Sequence, residues 1–165
     1  MSTGAGLPAS GEILMSVCLV SINDASVQEQ SLTRLAAHPK FVGVRHVVQE
    51  EPDVDFMLGK DFQRGISKLR AFGLTYDILI YPKQLPAALE LVERLPEQPF
   101  VLDHIAKPPI KRGELEPWAT EIRALAKHAN VCCKLSGMVT EADHQQWREA
   151  DLLPYLDVVA EAFGP

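Results

Sequence analysis

Phe100-Val101-Leu102-Asp103-His104-Ile105-Ala106-Lys107-Pro108 is the stretch that decides the fold. Three apolar residues suit a short buried strand. The run then breaks into an acid, an imidazole and, further on, Lys107-Pro108. Working outward, the same event recurs in both directions. Val131-Cys132-Cys133 runs into Lys134, with Ser136-Gly137 behind it. Asp77-Ile78-Leu79-Ile80 runs into Tyr81-Pro82, and Phe41 to Val44 runs into Arg45-His46. Ile13 to Ile22 reads as an earlier apolar strand.

Helical patterns separate these strands. Ser26 to His38 places Leu32, Leu35 and Ala36 on one face. Asp61 reads as the N-cap of a helix through Phe72, with Phe62, Ile66 and Leu69 at helical spacing and Gly73 as the stop. Gln84 to Leu95 carries a stripe of Leu85, Ala88, Leu89 and Val92. Pro117 suits the first turn of a helix running to about Ala129, Thr140 to Asp143 reads as a polar turn, and a last helix is expected over Pro154 to Phe163. Strand and helix in alternation imply a parallel sheet with crossover helices, either doubly wound or a (β/α) barrel. No G-x-G-x-x-G follows a strand, which lowers the dinucleotide-binding form, and no G-x-S-x-G marks an α/β-hydrolase nucleophile. In a (β/α) barrel, reacting side chains sit where strands end, so the repeated strand-end polar residues predict one shared mouth.

Composition sets the outer bounds. The 165 residues are 47% hydrophobic and 23% charged, ordinary for one globular domain. We expect residues 1–10 to be a disordered lead-in and residues 11–165 to be a single domain. A net charge of -6 argues against nucleic acid or an anionic membrane surface as partner. No apolar run is long enough for a bilayer, and no basic segment introduces Ile13 to Ile22 as a secretory signal. Cys18, Cys132 and Cys133 lack zinc-site spacing. Adjacent strand residues face opposite ways, so the last two pair poorly with each other, and the cysteines read as reduced core residues of a cytosolic protein, with a reactive thiol as the alternative.

Each strand-end residue has a structural alternative beside the functional one. Arg45 could pair with Glu50 or Glu51, His46 could be a satisfied structural histidine, and Asp103 could cap a loop or hold Arg45. Tyr81 could pack, and Lys134 needs a partner or a cavity because an unpaired buried charge is costly. His104, between Asp103 and Lys107, is the hardest to read as structural, whereas His38, His128 and His144 read as surface residues. Together the set suggests stabilisation of an anionic substrate and a developing oxyanion, with Arg45 and Lys134 supplying charge and His104 a ligand or proton carrier.

The motifs resemble those of amidohydrolase-related lactonases, a group with L-fuconolactonase-like, L-rhamnonolactonase-like and sulfomuconolactone hydrolase-like members. Four strings carry the resemblance in order: Gly43-Val44-Arg45-His46-Val47-Val48-Gln49-Glu50-Glu51-Pro52-Asp53, then Asp77-Ile78-Leu79-Ile80 with Gln84-Leu85-Pro86. Val101-Leu102-Asp103-His104-Ile105-Ala106-Lys107-Pro108 and Cys133-Lys134-Leu135-Ser136-Gly137 follow, the last continuing into Val139-Thr140-Glu141-Ala142-Asp143. The resemblance implies an α/β fold, a partial (β/α)8 TIM barrel of the metal-dependent hydrolase type holding about strands three to seven. It implies hydrolysis of a small-molecule sugar or carboxylate lactone by attack of water. His104 and Asp103 would be catalytic, and Arg45, His46, Tyr81, Lys134 and Ser136 would bind substrate. Some members of the group bind zinc and others need none; here His104 would be the one metal ligand present, the other ligands missing. The group's early His-x-His pair and its late catalytic Asp have no counterpart in this sequence. The expectation is therefore a truncated form with impaired catalysis. The alternative is a non-catalytic short product that associates with itself or with the full-length protein through open barrel edges.

Overall fold

The computed structural model describes residues 25–164. The strand expected over 13–22, the lead-in over 1–10 and Cys18 lie outside the described residues. Helix α1 (Ala25–Ala36) precedes strand β1 (Gly43–Val47). Then come α2 (Lys60–Ser67), β2 (Thr75–Leu79), α3 (Leu85–Arg94), β3 (Phe100–Leu102), α4 (Trp118–Leu125), β4 (Val131–Cys133) and α5 (Glu149–Phe163). The described strands form one four-stranded sheet in the order β1-β2-β3-β4, and every neighbouring pair is parallel. Parallel neighbours need a crossover between them, which α2, α3 and α4 provide.

The register assigns the two faces of the sheet. Val44 pairs with Tyr76, Tyr76 with Phe100, and Phe100 with Val131; Ile78 and Leu102 repeat the row two residues on. All six are buried in the core, so this is the face the helices cover. Leu85, Ala88, Leu91 and Val92 of α3, Trp118 and Ile122 of α4, and Val158 and Val159 of α5 fill the other side of that layer. Helix α4 packs against both α3 and α5. The alternate row runs Arg45, Asp77, Val101 and Cys132, register partners across the four strands. Its members point away from the helices.

Several boundaries differ from the sequence reading. Asp61 is not an N-cap: α2 begins one residue earlier, flanked by Gly59, and Asp61 sits in its first turn paired with Arg64 at 2.9 Å. The stop at Gly73 holds, with φ 67 in the left-handed region, after a tighter turn over Leu69–Phe72. Helix α4 ends at Leu125, short of Ala129, because 125–130 turns into β4. Helix α5 starts at Glu149 and carries Pro154 inside it. The Asp151 carboxylate accepts the Arg148 N–H at 2.8 Å, which fixes the start there. Pro154 has no N–H to donate and so forfeits one helical bond in the second turn, on an exposed side of the helix.

Candidate active site

Four charged residues meet on the face the helices leave free. The Lys134 ammonium lies 2.6 Å from Asp77 Oδ2 and 2.7 Å from Asp103 Oδ1. Arg45 Nη1 donates to Asp103 Oδ2 at 2.9 Å. The geometry follows from the register: Arg45 and Asp77 are direct partners on β1 and β2, while Asp103 and Lys134 stand two residues beyond Val101 and Cys132 on the same face. The carboxylates are the buried members, Asp103 0% and Asp77 2% exposed, and the cations reach them from the open side. Burial alone would lower the Lys134 pKa, but the hydrogen-bonding Asp103 and Asp77 outweigh it and hold the ammonium above its ordinary value.

His104 stands beside this network on the turn Asp103–Ala106. Its Nδ1 lies 2.9 Å from Ser136 Oγ on the loop after β4, which leaves Nε2 as the nitrogen open to a ligand. The backbone here is unusual: His104, Ile105, Ala106 and Lys107 all have positive φ, between 49° and 56°. For a β-branched residue such as Ile105 this conformation is strained, by about 1–2 kcal/mol. Burial of Ile105 and Ala106 holds the turn, as do the Lys107 N–H bond to the His104 carbonyl at 2.9 Å and the Trp118 indole N–H bond to the Ile105 carbonyl at 2.8 Å. Strain of this kind persists where the surroundings over-determine it, and it places His104 at an angle a relaxed loop would not give.

The remaining expected site residues divide. Tyr81 is on the loop after β2, partly exposed, with the Lys107 ammonium 5.6 Å from its ring centroid. Lys107 also pairs with Glu141 at 3.1 Å. These three line a cleft of about 700 Å³ that continues over Lys83, Pro109 and Trp118; its walls do not include Arg45, Asp77, Asp103 or Lys134. His46 is not brought to the other site residues. It follows Arg45 on one strand, so it faces the helices, where it stacks on Phe56 at 5.1 Å and bonds Glu51 at 2.6 Å. Of the alternatives for Arg45, pairing with Asp103 is the one realised, in place of Glu50 or Glu51. Asp77 is the member the sequence reading missed. It stands in an apolar run, and its only signal was an acid inside a strand that otherwise reads as buried. His38 and His144 are exposed as expected, and His128 is half-buried.

The Amidohydrolase family model matches residues 5–165. The chain belongs to the amidohydrolase family. It is 40% identical over 136 residues to a protein of Burkholderia ambifaria named L-fucono-1,5-lactonase, a match covering 81% of this chain and 46% of that one. A Burkholderia multivorans protein of the same name is 38% identical, with 76% of this chain and 46% of the relative covered. Among solved structures, an amidohydrolase of Burkholderia multivorans with bound zinc superposes with a TM-score of 0.83 at 34% identity, over 93% of this chain and 56% of that one. The chain thus spans about half the length of the curated relatives it matches. The four-stranded parallel sheet is correspondingly a part of the amidohydrolase barrel, and its helix-free face is the barrel's interior.

Among the described residues no three His, Cys, Asp or Glu side chains stand together as a metal site. Asp77 and Asp103 are occupied by cations and His104 Nδ1 by Ser136, so the described residues do not by themselves fit a zinc ion. Among the described residues no helix is long and apolar enough to cross a membrane.

Proposed function

We propose that this amidohydrolase segment carries part of the active site of a lactone hydrolase acting on a small sugar-type lactone. The observation that supports it best is the convergence of Arg45, Asp103 and Lys134 on the barrel's interior face, beside His104, in a chain 40% identical to an L-fucono-1,5-lactonase. Two cations face two carboxylates in this network, so it carries no net charge. On that balance we favour a neutral polyhydroxy lactone over a dicarboxylate. In this reading Lys134 and Arg45 donate to the lactone carbonyl oxygen as it becomes an oxyanion. Water gives a proton to His104 Nε2 as its oxygen forms the new bond to that carbon; the ring C–O bond then breaks, and His104 Nε2 passes that proton to the leaving alkoxide. Asp103 holds the two cations in place, Ser136 fixes the imidazole, and Tyr81 with Lys107 lines the approach. His46 instead anchors the loop over Phe56.

Lys134 keeps 40% of its side chain exposed and Cys132 is also exposed, so water reaches this face of the sheet. Donors acting through water are weaker, and we propose that these residues alone turn over slowly. A reducing, cytosolic setting belongs to the same reading and is supported by the free thiols of Cys132 and Cys133. The test is lactone hydrolysis by the purified, folded chain, followed by proton release over five- and six-membered sugar lactones with and without added zinc. Turnover abolished by His104→Ala at unchanged melting temperature supports the assignment. Turnover that survives the substitution removes His104 from the chemistry.

A second reading, self-association through the outer edge of β4, is favoured by the exposure of Leu135 just beyond that strand. Sedimentation over a hundredfold concentration range tests it, and a constant monomer mass ends it.

A further inference from the structure

Asp77 lies on β2, two strands away from Lys134, and its carboxylate is 2% exposed. An ionised carboxylate at such a place is expensive unless it is paired. The Lys134 ammonium is a partner from another strand, its stem crossing the β3 row to reach the carboxylate at 2.6 Å. Asp103 faces the same ammonium at 2.7 Å but is shared with Arg45, which donates to its other oxygen at 2.9 Å, so Asp77 is the carboxylate that Lys134 does not share with Arg45. A second carboxylate from another strand fixes the ammonium in position and keeps it protonated. An ammonium has three N–H donors, so two carboxylates leave one for a further acceptor. With its side chain 40% exposed on the barrel's interior face, Lys134 can present that donor to a ligand.

We infer that Asp77 is a positioning residue: with Asp103 it holds the Lys134 ammonium so that its remaining N–H meets the carbonyl oxygen of a bound lactone. The inference rests on the proposed lactone site and adds to it the residue that aims the donor. Asp77 touches no substrate and acts through Lys134.

The test uses the whole chain with 13C-labelled lysine, Lys134 being assigned by the signal lost in Lys134→Arg. The probe is gluconolactam, a six-membered sugar ring in which N–H replaces the ring ester oxygen, so that binding is read without ring opening. Gluconolactam is expected to shift the Lys134 13Cε signal. Its Kd is expected to rise at least tenfold in Asp77→Asn, with Asp77→Glu recovering part of the loss. Alkaline titration of that signal should also move to lower pH in Asp77→Asn, which a purely structural carboxylate elsewhere in the core would not cause. Equal lactam affinity in Asp77→Asn, or no lactam response at Lys134 in the unmodified chain, overturns the inference. Should Asp77→Asn fail to fold, Asp77→Glu carries the comparison: weakened lactam binding supports the inference and unchanged binding overturns it. A chain that binds the lactam at Lys134 but hydrolyses no lactone leaves the inference standing and ends the proposal that these residues alone turn over a lactone.

Discussion

A Cβ placed on Gly137 would lie 2.9 Å from Cγ of His104 and 3.0 Å from its Nδ1. The glycine is thus the wall against which the imidazole rests, and Ser136 next to it supplies the hydrogen bond at 2.9 Å. Gly137 also sits at φ +69, where a side chain is strained whatever the space. Gly137→Ala should cost about 1–3 kcal/mol in urea melts and displace the ring from Ser136. The 15N signals of the His104 imidazole should move in this variant. Stability and signals both unchanged would show that the ring is not held by this contact.

The Lys134 ammonium is held above its ordinary pKa by Asp103 and Asp77 against the opposing effect of burial. The folded state therefore binds this proton more tightly than the unfolded chain does. The stabilisation is complete below the unfolded value of 10.5 and is lost as pH rises through the higher folded value. Lys134→Met should be less stable at pH 7, by about 1–3 kcal/mol, because it removes the ammonium that the buried Asp77 and Asp103 carboxylates share. The difference between the two proteins should shrink above pH 10.5. A difference constant from pH 7 to 11.5 would rule the pairing out as a source of stability.

Burial pushes the Cys133 thiol up to about 12, while its neighbour Cys132 is exposed. The thiolate is the reactive form, so iodoacetamide at pH 8 should label Cys132 at least tenfold faster than Cys133, as mapped by mass spectrometry. The same shift makes the folded state keep a proton that the unfolded chain releases near 9.0, so this residue withdraws stability between pH 9.0 and about 12. Equal labelling of the two would place Cys133 on the wrong face.

Trp118 is buried, and its indole N–H bonds the carbonyl of Ile105 inside the strained turn. Trp118→Phe should cost about 1–3 kcal/mol by leaving that carbonyl unsatisfied and opening space. It should also weaken the His104–Ser136 contact. Trp147→Phe, at a residue 41% exposed, should stay within about 0.5 kcal/mol and serves as the control. Similar losses from both would mean that the turn does not depend on the indole.

The apolar runs were legible because a buried parallel strand needs little else. Phe100–Leu102 stands where it was read, and the left-handed stop at Gly73 was plain from residue type. Asp61 and Pro154 were misread for one reason: each is favoured in a first turn, and local preference does not say where the first turn lies. Arg45 and His46 were read as a pair entering one mouth. Consecutive strand residues face opposite ways, and only the register shows that Arg45 takes the interior.

The sequence by itself determined the order of strands and helices and the family, because periodicity and short motifs are local properties. The tertiary structure alone decided that Asp77, Asp103, Arg45 and Lys134 form one network and that His46 does not join it. Those contacts span 57 and 58 residues of chain. They exist only because parallel pairing fixes which residues of separate strands share a face.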